Sequence, residues 1–249
     1  MAGITITLLG TNGWYPTSTG NTLSILVQAP GISLILDAGD GLHKVAGVCP
    51  IIETPAVLLL SHFHLDHISG FHALARLRFA RGLQIYGPPG TRAFLESFIC
   101  RPFTIPLSEL PYPVTITDLP EGRADIPVPV TTAYLVHTQP VFGYRIELGR
   151  TIAFCTDTGP CDGFHTLARD ADLLISECSY LPGENNPAWP HMNPEMAVRE
   201  AVRAGVEELL LVHFAADLYT TLAMRRNIRE TITGFPGLII GEDGMQISL

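Results

Sequence analysis

From Ser61 to His67 the sequence reads Ser-His-Phe-His-Leu-Asp-His, which puts three imidazoles and one carboxylate into six consecutive positions. Imidazole nitrogens and carboxylate oxygens are the donors that proteins offer to divalent cations, and this density points to a metal site. The preceding run, Ala56-Val57-Leu58-Leu59-Leu60, is continuously apolar and reads as a buried strand, so the cluster opens a loop at a strand end. His62 and His64 lie two apart and share a face while the chain stays extended, so both can reach one ion. Asp66 and His67 come after the chain has turned and can face a second ion close by.

Further donors should stand at strand ends on the same edge. His137 ends Thr132-Ala133-Tyr134-Leu135-Val136, Asp157 follows Thr151 to Thr156, and His213 ends Leu209-Leu210-Leu211-Val212. Singly, such a histidine is ordinarily just hydrogen-bonded and an Asp before Thr-Gly is ordinarily a turn former. Together with the first cluster they extend one donor set.

The elements that carry these residues are short. With 249 residues, 47% apolar content and mean hydropathy +0.27, the chain can bury a sizeable core and is read as one domain, 1–249. Strands are expected near 3–9, 22–29, 32–37 and 56–60, then a helix after His67 through the seventies. A strand Gln84 to Tyr86, a helix Arg92 to Cys100 and a proline-rich loop Arg101 to Pro113 follow. Further strands fit Val114 to Thr117, Val130 to Val136, Phe142 to Leu148, Thr151 to Cys155, Leu173 to Ser176 and Glu208 to Phe214. Asn193-Pro194-Glu195 opens a helix that Gly205 closes. Another helix runs from about Thr221 to Thr233, and two strands end the chain. This order suggests an α+β protein with two sheets face to face and helices outside.

Charge and cysteine usage exclude several function classes. The 24 acidic and 15 basic residues give a net charge of −9, which opposes sequence-independent binding of nucleic acid and favours a small substrate. Arg76, Arg78, Arg81, Arg92 and Arg101 form a locally basic stretch that is either a solvated helix face or a phosphate contact. The N-terminus alternates as a first strand would, and neither a secretion signal nor a membrane-spanning run is expected. Five scattered cysteines fit a reducing cytoplasm, with Cys155 and Cys178 as small core residues.

The motif His-x-His-x-Asp-His at His62 to His67, with His137, Asp157 and His213, resembles the signature of the metallo-β-lactamase superfamily. Within it the chain looks most like ribonuclease Z and its smaller phosphodiesterase relatives. The resembling segments are Leu9-Gly10-Thr11, Leu36-Asp37-Ala38-Gly39, His137 to Arg145, Asp157 to Asp162 and Ala171 to Glu177. The resemblance implies an αβ/βα four-layer sandwich. It also implies that His62, His64 and His137 hold one ion, that Asp66, His67 and His213 hold another, and that Asp157 bridges them. Such donors suit two zinc ions, with manganese or iron also accepted. A hydroxide between the ions would attack phosphorus while Asp66 orients it. His191, just before the Asn193 helix start, matches the histidine expected to protonate the leaving group, and Glu177 could orient it. Asp37 could fix the tautomer of a ligand histidine or form a turn. His43, His72 and His165 match no motif.

Two departures restrict the substrate. Ribonuclease Z proteins carry a long tRNA-grasping insertion between the motifs of His137 and Asp157, whereas Gly143 to Arg150 here runs straight into the next strand. Cyclic-phosphate phosphodiesterases carry an N-terminal cysteine cluster, whereas no cysteine precedes Cys49. The expected activity is therefore a metal-dependent phosphodiesterase on a small or cyclic phosphodiester, walled by Thr11 to Asn21 and the loops Arg101 to Pro113 and Leu181 to Pro190. The alternatives are tRNA 3′-processing, ester, thioester or lactam hydrolysis, and iron redox chemistry. No membrane partner is expected, and a homodimer is compatible with the sequence.

Overall fold

The computed structural model describes residues 3–249, so Met1 and Ala2, which open the alternating N-terminal stretch, lie outside the described residues. The chain divides into two compact units. The first comprises the chain up to Gly10, Asn21–Pro120 and Asp243–Leu249, and the second comprises Thr11–Gly20 and Glu121–Glu242.

The first unit is built on a seven-stranded sheet in the order Gln246–Ser248, Thr5–Gly10, Ser24–Ala29, Ile32–Leu36, Ala56–Leu59, Leu83–Gly87, Val114–Asp118. The first four strands pair antiparallel, and the pairings from Ile32–Leu36 onward are parallel. Parallel strands lie buried on both faces, which accounts for the unbroken apolar run Ala56–Leu59 and for the full burial of Ile32–Leu36, Ser33 included. Leu36 pairs with Leu59, so Asp37 and the Ser61–His67 loop leave the sheet side by side. A core of Leu9, Leu26, Ile35, Leu58, Phe71, Leu74 and Ile85 lies against the sheet.

The second unit repeats the plan with its own sheet, in the order Leu238–Ile240, Glu208–Val212, Leu173–Glu177, Thr151–Cys155, Val141–Glu147, Pro129–Leu135, Gly122–Asp125. Here the first four strands are parallel and the rest antiparallel. Two antiparallel steps return Pro129–Leu135 to the direction of Thr151–Cys155. The residues after Leu135, Cys155, Glu177 and Val212 therefore emerge at one carboxyl edge, where open α/β sheets bind ligands. Asn193 caps the helix Pro194–Ala204 by accepting from the Met196 amide, and Gly205 ends it in a left-handed conformation, as its sequence signals predict.

Several elements differ from expectation, among them the following three. The helix starts earlier, at Leu65–Ile68, and continues as a tighter 3-10 stretch, Ser69–Arg76. The switch to 3-10 follows from the neighbouring loop: the Ala38 amide donates to the His67 carbonyl and the Gly70 amide to the Ala38 carbonyl, diverting both groups from the α-helical ladder. The strand expected over Glu208 to Phe214 stops at Val212, because His213 takes a left-handed backbone. Phe214–Ala215 then pairs with Asn12–Gly13. The helix Asp162–Ala168 was not expected. Among the described residues, no helix is long and apolar enough to cross a membrane.

Candidate metal and acid–base site

In the first unit, the Asp37 carboxylate organises the histidine loop. Fully buried, it accepts the Ser61 amide at 2.7 Å, the Ser61 hydroxyl at 2.8 Å and His67 Nδ1 at 2.7 Å. An ionised carboxylate can only accept, so the His67 proton sits on Nδ1 and Nε2 keeps its lone pair. Asp66 Oδ2 lies 3.5 Å from that Nε2. His62 Nδ1 is 2.9 Å from the Ser61 hydroxyl, and its Nε2 is 2.9 Å from His64 Nδ1. The four expected donors of this loop thus converge, with the His62 ring 4.6 Å from that of His64 and 4.2 Å from that of His67.

In the second unit, Asp157 stands between two histidines. Its Oδ1 is 3.2 Å from His213 Nε2 and its Oδ2 is 3.9 Å from His137 Nε2. His213 Nδ1 meets the Ser179 hydroxyl at 3.0 Å, which leaves Nε2 to face Asp157. The bridge between Val136 and Gly159 ties the His137 turn to the Asp157 turn. Beside them, the fully buried Glu177 holds His191 Nδ1 with both oxygens, at 2.7 and 2.9 Å, and also accepts the amides of Thr158 and Ser179. His191 Nε2 is the ring nitrogen turned away from Glu177. The ring lies 4.9 Å from His137 and stacks 6.1 Å from His213, and donor atoms of Asp157, His191 and His213 gather within 4.8 Å of one another.

These donors fit a divalent cation. For His62, His67 and His213 the ring nitrogen turned away from the cluster is spent on Ser61, Asp37 and Ser179, which is how proteins orient ligand histidines, and the set contains no thiol. Asp37, Asp157 and His213 have φ of 55°, 49° and 53°. Left-handed backbone outside glycine costs about 1–3 kcal/mol and clusters where side-chain direction matters.

The segment Thr11–Gly20 is anchored from inside. Arg225 is fully buried and donates to Thr11 Oγ1 (3.2 Å), Asn12 Oδ1 (2.6 Å) and Thr19 Oγ1 (2.8 Å), with its guanidinium 4.7 Å above the Phe214 ring. The anchored backbone lies so close to His213 that a Cβ on Gly13 would meet ring atoms at 2.5–2.9 Å.

Other residues fall away from chemistry. Arg78 and Arg92 donate to backbone carbonyls and Arg101 pairs with Glu109, so these three do not form a phosphate clamp. His43, His72 and His165 are bound to Asp40, Ser69 and Glu200. Sequence reasoning missed Ser179, Ser61 and Arg225, whose partners lie elsewhere in the chain or belong to types common in any loop.

A family model described as a β-lactamase superfamily domain matches residues 34–214. The chain belongs to the β-lactamase superfamily. It is 26% identical to the ribonuclease Z of Nostoc punctiforme over 96% of this chain and 94% of that one. It is 30% identical to a Bacillus subtilis protein named "Probable metallo-hydrolase YhfI", over 84% of this chain and 86% of that one. The crystal structure of YhfI matches with TM-score 0.79 at 24% identity, covering 99% of this chain and 100% of that one. A structure described as a new diphosphatase from the PhnP family matches with TM-score 0.77 at 17% identity, covering 99% and 98%. The expected metallo-β-lactamase fold is therefore the one found, and the chain is a metallo-hydrolase of this superfamily with a His/Asp cluster that could bind metal.

Proposed function

We propose that this superfamily member is a phosphodiesterase acting on a small or cyclic phosphodiester, with 1–249 working as one domain. The observation that carries the reading is the Glu177–His191 pair. Expelling an alkoxide from phosphorus requires a proton, whereas esters, thioesters and lactams have better leaving groups and need it less. Glu177 fixes His191 by Nδ1 and stabilises its protonated form, so Nε2 donates to the departing oxygen. In the ligand assignment, His62, His64 and His137 would hold one ion, Asp66, His67 and His213 would hold a second, and Asp157 would contribute to both. Two divalent ions, zinc by preference, would supply water activation and stabilise charge on the substrate oxygens. Asp66 orients the attacking water.

Small substrates are favoured over tRNA for a structural reason. The strands Val141–Glu147 and Thr151–Cys155 join through a tight turn, with Gly149 at φ 82° and the Leu148 amide donating to the Arg150 carbonyl. No grasping arm can be housed there, and the net charge of −9 opposes polyanion binding.

The test is metal-loaded protein assayed against bis-aryl phosphodiesters, cyclic nucleotides, cyclic sugar phosphates and a 3′-extended tRNA. His191→Ala is expected to lower kcat by about 100- to 10,000-fold on poor leaving groups and far less on good ones. Equal loss on all substrates, or efficient tRNA cleavage at low protein concentration, refutes the reading.

A further inference from the structure

Beside the proposed acid stands a side chain with no part in ligand binding or proton transfer. Trp189 remains 48% exposed. Its ring lies 5.7 Å from His137 at a steep 73° and 6.3 Å from His191 at 44°. Its backbone is held at two points: the amide donates to the Asn186 carbonyl at 3.0 Å, and the Trp189 carbonyl accepts the Tyr180 hydroxyl at 2.7 Å. Tyr180 is in turn fixed by the Tyr219 hydroxyl on its carbonyl, and it presents its ring edge to His191 at 5.8 Å. An indole serving only as packing would be expected to bury most of its surface. This one is anchored, leaves about half of its surface in water, and stands beside the nitrogen that delivers the proton.

We infer that Trp189 is a stacking platform for a planar aromatic ring carried by the substrate, so that the phosphodiester is of the nucleotide class, with a base to lay on the indole. The inference rests on the phosphodiesterase reading and deepens it. Stacking on an aromatic side chain accepts any base and needs no hydrogen-bond readout, which suits an exposed indole on a loop. It also supplies affinity without relying on cationic side chains, which a net charge of −9 disfavours as the main source of binding.

Binding can be tested apart from hydrolysis. The chain has two tryptophans, so Trp14→Phe leaves Trp189 as the single indole reporter. Metal-loaded Trp14→Phe protein is titrated with adenosine 5′-monophosphate, ribose 5-phosphate and inorganic phosphate, following tryptophan emission, and the affinities are measured by calorimetry on the parent protein. The nucleotide is expected to quench emission saturably and to bind more tightly than ribose 5-phosphate. Trp189→Ala is expected to weaken nucleotide binding by about 5- to 150-fold. Binding of the two ligands without an aromatic base should be unchanged, and Trp189→Phe should restore most of the nucleotide affinity. Equal affinity for nucleotide and ribose 5-phosphate, no saturable nucleotide binding, or an equal loss for all three ligands in Trp189→Ala overturns the inference. Failure of the phosphodiesterase reading would look different: no phosphodiester in the panel would turn over, whatever the binding titrations gave.

Discussion

Asp37→Asn isolates the buried carboxylate that sets the His67 tautomer. Asparagine has nearly the same shape and tolerates the φ of 55° at this position, so the backbone has no reason to move. The two carboxylate oxygens accept three donors, the Ser61 amide at Oδ1 and both the Ser61 hydroxyl and His67 Nδ1 at Oδ2. The new NH2 group cannot face the Ser61 amide, which is an obligatory donor. It must therefore replace Oδ2, where the hydroxyl can turn to accept and His67 can accept only by moving its proton to Nε2. That move occupies the nitrogen proposed to hold metal. Restoring the binding tautomer forfeits a charge-assisted hydrogen bond, about 1.5–3 kcal/mol, or about 10- to 150-fold in affinity. The range brackets the loss typical when a ligand histidine is deprived of its acceptor. The assay is zinc affinity by chelator competition. Thermal unfolding of chelator-treated protein should fall by about 3–12 °C from the same lost bond. Unchanged zinc affinity would refute the assignment of His67 as a ligand oriented by Asp37, and unchanged unfolding would refute the energetic role of the carboxylate.

Three further outcomes are expected. Gly13→Ala should disturb His213, whose ring is pinned by Ser179 and would sit 2.5–2.9 Å from the new methyl group. A stability loss of about 1–3 kcal/mol with weakened metal affinity is expected, read by denaturant unfolding and chelator competition. Cys155 and Cys178 are fully buried, and burial pushes both thiols up, so alkylation of the native protein at mildly alkaline pH should label Cys49, Cys100 and Cys161 and spare these two, as mass spectrometry would show. Burial pushes the Asp172 carboxyl up, but the Thr151 amide and Arg150 outweigh it, so the group lies below its ordinary value; hydrogen bonding to Arg226 lowers Glu242 in the same way. A carboxylate depressed on folding stabilises the native state above its unfolded pKa and loses that effect as pH falls through the folded value. The Tm deficit of Asp172→Asn and of Glu242→Gln should thus be largest near neutrality and shrink below about pH 4.

The candidate site was legible where donors stand together or end an apolar run. His62 to His67 needs only a strand over Ala56 to Leu60, and His137, Asp157 and His213 need a shared strand edge. The pairing of Glu177 with His191 is half legible: both residues stand at recognisable places in the sequence, but the bidentate hydrogen bond depends on how the Leu181 to Pro190 loop returns to the sheet. Ser179 and Ser61 carry no sequence signal, since serine in a loop is usually only a turn residue. The 3-10 stretch after Ile68 escapes sequence reading because Ala38 captures backbone groups that periodicity assigns to the helix. The membership of Thr11–Gly20 in the second unit is beyond local reading, because the residues that hold it lie about two hundred positions away.

The buried Arg225 contacts give the molecule an order of assembly. Its acceptors at Thr11, Asn12 and Thr19 precede it by 214, 213 and 206 residues. Closing a loop of that length has an entropic cost that local pairing never meets, and contacts of such high sequence separation slow folding. The earliest-synthesised wall beside His213 must therefore wait for the helix Leu222–Thr231 before it can settle. A nascent chain interrupted before that helix can pair most of the strands of both sheets and still lack a fixed Asn12–Gly13 ribbon. Competence for catalysis would then arrive as a late, separate event in biogenesis, after most of the sheet pairing is in place.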